Sequence, residues 1–166
     1  MPYIHREMDI LTYDRSGTSP VRGYIFDLDG TLADNSHRLP HIHGNEKDWE
    51  AYNLASDKDA IWDDVINIAQ RLYLAGSNIF ILTGRSEIAA EVTRKWLRDH
   101  GVLYHTLIMR TDGNREKDYV LKKKWYEKYV LPTGSRIAGV FEDRTQVVQM
   151  WRSLGLTVFQ NTEGNY

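Results

Sequence analysis

The sequence predicts an α/β fold, a mostly parallel sheet covered by helices on both faces. Three observations point there. Short apolar runs of strand length (YIFDL, NIFIL, RIAGVF) alternate with segments whose apolar residues recur at helical spacing. Capping and turn residues separate the two kinds of segment. Polar clusters fall at the C-terminal ends of the runs, where open parallel sheets bind ligands.

The elements follow in order. Residues 1–20 are polar and end in Gly, Ser and Pro, which suits an N-terminal arm or a short edge strand; residues 21–166 are read as one domain. Tyr24 to Asp27 is the first core strand, and Gly30 stops it. A stretch with three histidines, one proline and no clear period reads as an irregular cap insertion over about 35–58. Ile61, Val65, Ile68 and Leu72 then mark a helix, with Asp57 or Asp59 near its start and Gly76 at its end. Asn78 to Leu82 is the second strand. Ser86 can cap a helix carrying Ile88, Val92 and Trp96, closed by Gly101. Leu103 to Met109 is a third strand, and Asp118, Leu121, Trp125 and Tyr129 share a helix face. Arg136 to Phe141 is a fourth strand. Val147, Val148, Trp151 and Leu154 mark a helix ended by Gly155, and Leu156 to Phe159 is a last strand. Trp96, Trp125 and Trp151 are assigned to the core.

Composition narrows the function classes. A chain of 166 residues suits one domain with a sizeable core. A net charge of −2 excludes a basic tract built to follow long nucleic acid, though a local pocket for a phosphate end fits. The absence of cysteine excludes disulfides and cysteine metal sites. No apolar signal core or membrane-length run is present, so a soluble protein without membrane contact is expected.

Four polar clusters carry the chemistry. The first strand ends in Asp27-Leu28-Asp29-Gly30-Thr31. Two acids there are costly to bury unless a cation or a developing charge compensates them. One carboxylate can attack phosphorus, the other can pass a proton, and a hard divalent ion can bind both; the plain alternative is an Asp-Gly turn. The second strand ends in Thr83-Gly84-Arg85, offering a hydroxyl, an exposed backbone N–H and a guanidinium fork to a phosphate, or else only a turn capped by Ser86. Asp118 and Lys122 lie one helical turn apart, either facing the phosphate or part of a solvated lysine-rich face. The fourth strand ends in Glu142-Asp143, which can complete an oxygen-ligand site for magnesium or simply open the next helix.

Together, Asp-x-Asp-Gly-Thr, apolar-Thr-Gly-Arg, a lysine and apolar-Glu-Asp resemble the haloacid dehalogenase-like (HAD-like) phosphatase superfamily, over residues 24 to about 160. The resemblance implies a three-layer, Rossmann-like parallel sheet. It gives Asp27 the role of nucleophile and Asp29 that of general acid–base, Thr83 that of phosphoryl binding, and Lys122 that of charge stabilisation. Asp27, Asp29, Glu142 and Asp143 would bind Mg²⁺. Thr93-Arg94-Lys95-Trp96-Leu97, Met109-Arg110, Asn114 to Asp118 and the run Glu142 to Arg152 are similar to the 3′-phosphatase domains of bacteriophage polynucleotide kinase-phosphatases. That similarity adds Arg38, Arg85 and Asp118 as substrate-site residues, beside Gly84 with its exposed backbone N–H. Its last motif departs from the phage pattern: Glu142 stands where the phage domains carry Asp, which favours Asp143 as the metal ligand.

The resemblance implies a two-step reaction on 3′-phosphorylated DNA or RNA ends through an aspartyl-phosphate, with Asp29 raised in pKa to act as an acid. A phosphatase of free nucleotides or another small phosphomonoester is the alternative, and a non-catalytic phosphate-binding module a third. No Gly-x-x-x-x-Gly-Lys-Ser/Thr motif occurs, so 5′-kinase activity is expected to be absent and a separate kinase or ligase partner is implied. A cytoplasmic location is expected, in the host if the protein is phage-encoded. His37, His41 and His43 suit a lid over the substrate better than zinc, for which their spacing is no signature. Trp49 and Tyr52 can stack on a terminal base or pack the lid. Arg94, Arg98, Arg110 and Arg115 can guide a phosphodiester backbone or remain solvated.

Overall fold

In the computed structural model, which describes residues 1–14 and 17–164, the core strands fall where the apolar runs do. Arg15 and Ser16 of the arm, and Asn165 and Tyr166, lie outside the described residues. Tyr3–Arg6 (β1), Arg22–Phe26 (β2), Ala33–Asp34 (β3), Ala60–Ile61 (β4), Asn78–Ser86 (β5), Thr106–Arg110 (β6), Arg136–Phe141 (β7) and Val158–Phe159 (β8) are the strands. The α-helices are Trp49–Leu54 (α1), Asp63–Leu74 (α2), Ala90–Asp99 (α3), Asp118–Trp125 (α4) and Thr145–Ser153 (α5). The main sheet runs β1-β6-β5-β2-β7-β8. Only β1 is antiparallel, pairing with β6 at one edge; the other ladders are parallel.

Strand alternation builds three layers. Ile79 and Ile81 pack with Val65, Ile66, Trp96 and Leu97, so α2 and α3 cover one face. Phe80 and Leu82 pack with Leu121, Trp125, Val147 and Trp151, so α4 and α5 cover the other. Full burial of each such side chain stabilises by roughly 1.5–3 kcal/mol. Trp96, Trp125 and Trp151 are buried in these layers as expected. Both faces of β2 and β5 are therefore dry, and a polar group at their C-terminal ends must find a partner.

Some local readings change. The first long helix starts at Asp63, not near Asp57 or Asp59, and buries Val65, Ile66 and Ala69. Ile61 sits in β4, and Ile68 is exposed on the outer face. Small Ala69 lets the helix approach the sheet, which the apolar period alone did not show. Ser86 caps a 3₁₀ turn, Glu87–Ala89, before α3 begins; Ile88 is exposed. The helix from Asp118 ends at Trp125 and continues as a π turn, Tyr126–Val130. The third and last strands are shorter than read, because Leu103 and Leu156 precede the paired residues.

The insertion is not irregular throughout. It holds a 3₁₀ helix Ser36–His41, α1, and a 3₁₀ helix Ala55–Lys58. The antiparallel pair β3–β4 closes its base. Asp48 caps α1 by accepting from the Ala51 N–H at 2.9 Å. Asn53 Oδ1 accepts from the Ser86 N–H at 2.9 Å and ties the cap to the end of β5.

Candidate active site

Backbone geometry at two strand ends aims the polar side chains inward. After β2, the amides of Leu32 and Ala33 both reach back to the Leu28 carbonyl at 2.9 Å, folding the chain into a tight loop. Gly30 turns that loop with φ of 85°, a conformation other residues resist. At the end of β5 the pairing with β6 jumps from Thr83↔Met109 to Ser86↔Arg110. Gly84 and Arg85 are thus extra residues on one strand, and this irregularity points Arg85 back over the end of β2. Gly84 is required for a second reason, since a Cβ there would lie 2.6 Å from Asp118 Oδ1.

Two charge clusters result. In the first, Lys122 Nζ is buried among three carboxylates: Asp27 at 2.5 Å, Glu142 at 2.8 Å and Asp118 at 3.1 Å. Lys122 therefore does not belong to a solvated face. Burial pushes the Asp27 carboxyl well above its usual range, with Glu142 and Asp118 adding to it and Lys122 opposing. Burial likewise pushes Glu142 up to about 7, against Lys122. Burial would raise Asp118 as well, but Lys122, Arg144 and Arg110 outweigh it and hold Asp118 low.

In the second cluster, Arg38 and Arg85 both donate to Asp29 Oδ1. Both also bind Asp59, a buried acid: Arg38 through Nε at 2.7 Å and a terminal nitrogen at 2.8 Å, Arg85 through a terminal nitrogen at 2.9 Å. The Trp96 indole N–H fixes the Asp59 carbonyl at 2.8 Å. Sequence reasoning missed Asp59 as a site residue because an acid just before a helix reads as a cap. It also expected a raised pKa for Asp29. Burial does act in that direction, but the two guanidiniums outweigh it and lower Asp29 to about 2.

The metal reading fits a subset of the expected ligands. Among the described residues, the grouping with ligand atoms within 4.8 Å of one another is Asp27, Glu142 and Asp143, all buried. Hard oxygen donors so close, two of them on Lys122, match a small divalent cation. The Asp29 carboxylate, expected as a fourth ligand, is turned to the two arginines instead. The histidines join no such group: His37 pairs with Asp59 at 2.9 Å, and His41 and His43 are exposed.

Above these clusters opens a cleft of about 1140 Å³, with Asp27, Asp29, Thr83, Gly84 and Arg85 in its lining. Thr83 is buried, and its Oγ1 accepts from the Arg85 N–H at 3.1 Å. The cap lines one wall and the 110–118 segment the other. Arg115 lines the cleft and is exposed. Arg110 spends its guanidinium inside the protein, on the carbonyls of Gly84, Asn114 and Glu116 and on Asp118. Arg94 and Arg98 border a separate depression of about 200 Å³ and do not reach the cleft.

Comparison with known proteins gives the family and the fold. Residues 21–166 match a family model described as the polynucleotide kinase PNKP phosphatase domain. Over 143 residues the chain is 34% identical to a protein of Autographa californica nuclear polyhedrosis virus described as a bifunctional polynucleotide kinase/RNA ligase. That alignment covers 83% of this chain and 19% of the viral protein. A chain in the structure of the Pnkp1/Rnl/Hen1 RNA repair complex superposes with a TM-score of 0.78 at 26% identity, over 96% of this chain and 47% of that one. The class C acid phosphatase from Bacillus anthracis shares the fold, with a TM-score of 0.63 at 16% identity over 90% of this chain and 70% of its own. The chain thus spans less than half the length of the viral protein and of the repair-complex chain. No helix among the described residues is long and apolar enough to cross a membrane.

Proposed function

The chain belongs to the polynucleotide kinase PNKP phosphatase-domain family and is a HAD-type phosphatase, and from that premise we propose that it removes 3′-phosphates from nucleic-acid ends in a Mg²⁺-dependent reaction. The observation that carries this reading is the buried set Asp27, Asp118, Lys122 and Glu142, of which Asp27 and Asp118 line a cleft large enough for a nucleotide.

In the first step an Asp27 oxygen bonds to phosphorus, the bond from phosphorus to the 3′-oxygen breaks, and that oxygen takes a proton from Asp29. Asp29 is ionised between the arginines, so substrate binding must first protonate it. A dianionic phosphoryl group places negative charge beside Asp29 and competes for the guanidiniums of Arg38 and Arg85. Both effects raise its proton affinity. In the second step water attacks phosphorus, Asp29 takes its proton, and the bond from Asp27 to phosphorus breaks to release inorganic phosphate. Lys122, Thr83 and the backbone N–H at Gly84 bind the equatorial oxygens, and Asp118 fixes Lys122. Asp27, Glu142 and Asp143 would hold Mg²⁺, which supplies charge neutralisation at the phosphoryl group when bound.

These 166 residues hold no phosphate-binding loop motif, so the proposal concerns the phosphatase reaction alone, with a kinase or ligase supplied by another domain or protein. The test is phosphate release, with Mg²⁺ and with chelator, from a 3′-phosphorylated oligonucleotide, its 5′-phosphorylated counterpart and a 3′-mononucleotide. Mg²⁺-dependent release from the 3′-phosphorylated oligonucleotide, well above the others, is expected. Preference for the mononucleotide would replace end repair with nucleotide metabolism. Equal rates with and without chelator would remove the metal.

A further inference from the structure

We propose that Trp49 is the platform on which the nucleobase of the phosphate-bearing terminal nucleotide stacks; this rests on the phosphatase reading above and names what the cap recognises. A phosphoryl group needs only the floor, lined by Asp27, Thr83 and Gly84, yet the cleft extends upward between the cap and the 110–118 segment. On the cap wall Trp49 is 52% exposed, while Tyr52, one turn further along α1, is 5% exposed.

Of the two aromatic residues singled out in the sequence, Tyr52 is therefore structural and Trp49 is open. Tyr52 is held on several sides. Its hydroxyl accepts from Asn35 Nδ2 at 2.7 Å, its ring lies 4.2 Å from the Arg38 guanidinium carbon, and its carbonyl accepts from Arg38 at 3.2 Å. The Trp49 indole meets this fixed ring edge to face, with centroids 5.7 Å apart at 82°. The indole is thus indexed through Tyr52 to Arg38, which binds Asp29. A ladder of contacts joins the cleft wall to the reacting centre.

Lys47 Nζ stands 5.7 Å from the indole centroid and lines the same wall, as does His43. A cation beside an exposed aromatic face suits a base joined to a phosphodiester, the pairing found in sequence-tolerant single-strand sites. Every base offers a π-face to an indole, so this device selects a nucleotide end over a base-free phosphomonoester without choosing a sequence.

The experiment compares the parent protein, Trp49→Ala and Trp49→Phe on three 3′-phosphorylated oligonucleotides: one intact, one abasic at the terminal nucleotide, and one abasic at the penultimate nucleotide. On the intact substrate Trp49→Ala is expected to raise KM about 5- to 140-fold, the equivalent of roughly 1–3 kcal/mol, with kcat little changed and Trp49→Phe recovering most of the loss. On the terminally abasic substrate the parent and Trp49→Ala should converge. A second readout is independent of turnover. Terminal 2-aminopurine bound to Asp27→Asn protein should be quenched, and adding Trp49→Ala should remove the quenching. A loss that persists on the terminally abasic substrate, or vanishes only on the penultimate abasic one, overturns the assignment. An active parent with an unaffected Trp49→Ala overturns it too, leaving the phosphatase reading intact. A folded parent that releases no 3′-phosphate from any oligonucleotide removes both.

Discussion

Replacing Asp59 by alanine tests how the second charge cluster is held. Arg38 and Arg85 have no exposed side-chain surface, and between them they contact Asp29 and Asp59, so two positive and two negative charges balance. Removing Asp59 deletes the three short arginine bonds of 2.7, 2.8 and 2.9 Å and leaves one buried positive charge without an opposite. Breaking one side of a buried ion pair costs about 3–5 kcal/mol. In a chain of this length that lowers Tm by about 6–20 °C, at roughly 2–4 °C per kcal/mol. Asp59→Asn keeps the shape but not the charge, so it too should destabilise. The assay is thermal and urea unfolding of Asp59→Ala, Arg38→Met and the double variant. The double variant retains Arg85 and Asp29, one charge of each sign, and should be less destabilised than the sum of the singles by about 1–3 kcal/mol. A loss under about 1 kcal/mol, or strict additivity, would refute the balanced-cluster reasoning.

Further outcomes follow from the same geometry. Asp27→Asn should lower kcat by roughly 10⁴-fold or more while circular dichroism stays unchanged, because Lys122 keeps Glu142 and Asp118; a near-parental rate would remove Asp27 as nucleophile. Mg²⁺ at a hundred times its Kd should stabilise the parent by about 2.7 kcal/mol in thermal unfolding, and Asp143→Asn should respond far less. Gly84→Ala pushes a methyl group against Asp118 and should cost about 1–3 kcal/mol together with activity, read by unfolding and turnover. Buried His105 accepts from the Ile79 N–H at 3.0 Å, and burial lowers its pKa. The unfolded chain then binds the proton more readily, so stability should fall as pH drops below the ordinary histidine value. His105→Gln should flatten that slope, measured as Tm against pH.

What was legible in the sequence were features that depend on near neighbours along the chain. Arg136 to Phe141 was placed to the residue because a largely apolar run ends in two acids; Asn78 to Leu82 was read short, because the strand continues through the polar Thr83-Gly84-Arg85 to Ser86. The convergence of Asp27, Lys122 and Glu142, with Thr83 on the same cleft, was legible because each follows such a run or sits at fixed spacing on a helix. The cap was opaque. Trp49–Leu54 is under two turns long, too short for a period to emerge, and beyond its local Asp48 cap its cohesion comes from Asn53 and Tyr52 meeting distant partners. Asp59 was misread for a related reason. Its role comes from two arginines, 21 and 26 residues away in the chain, that converge only in three dimensions. The Asp29 pKa inverted for that reason as well. The acid motif shows a carboxylate, but not that two guanidiniums arrive to keep it ionised.

The strand order has a consequence for how this protein is born. The strand that leads into Asp27 is made before its neighbours in the sheet, Asn78–Ser86 and Arg136–Phe141, which are synthesised long after it. The loop behind Asp29 waits longer still, because the Gly30 carbonyl is held by Asn161 Nδ2 at 2.9 Å. At about 5–20 residues per second, the nascent nucleophile strand spends seconds with both edges bare, a state that favours pairing with the wrong chain. Closure over such long separations is also slow once the chain is released. Nonsense variants that stop before residue 136 should therefore yield no weakened enzyme, only an unpaired central strand and a substrate for chaperones and proteases.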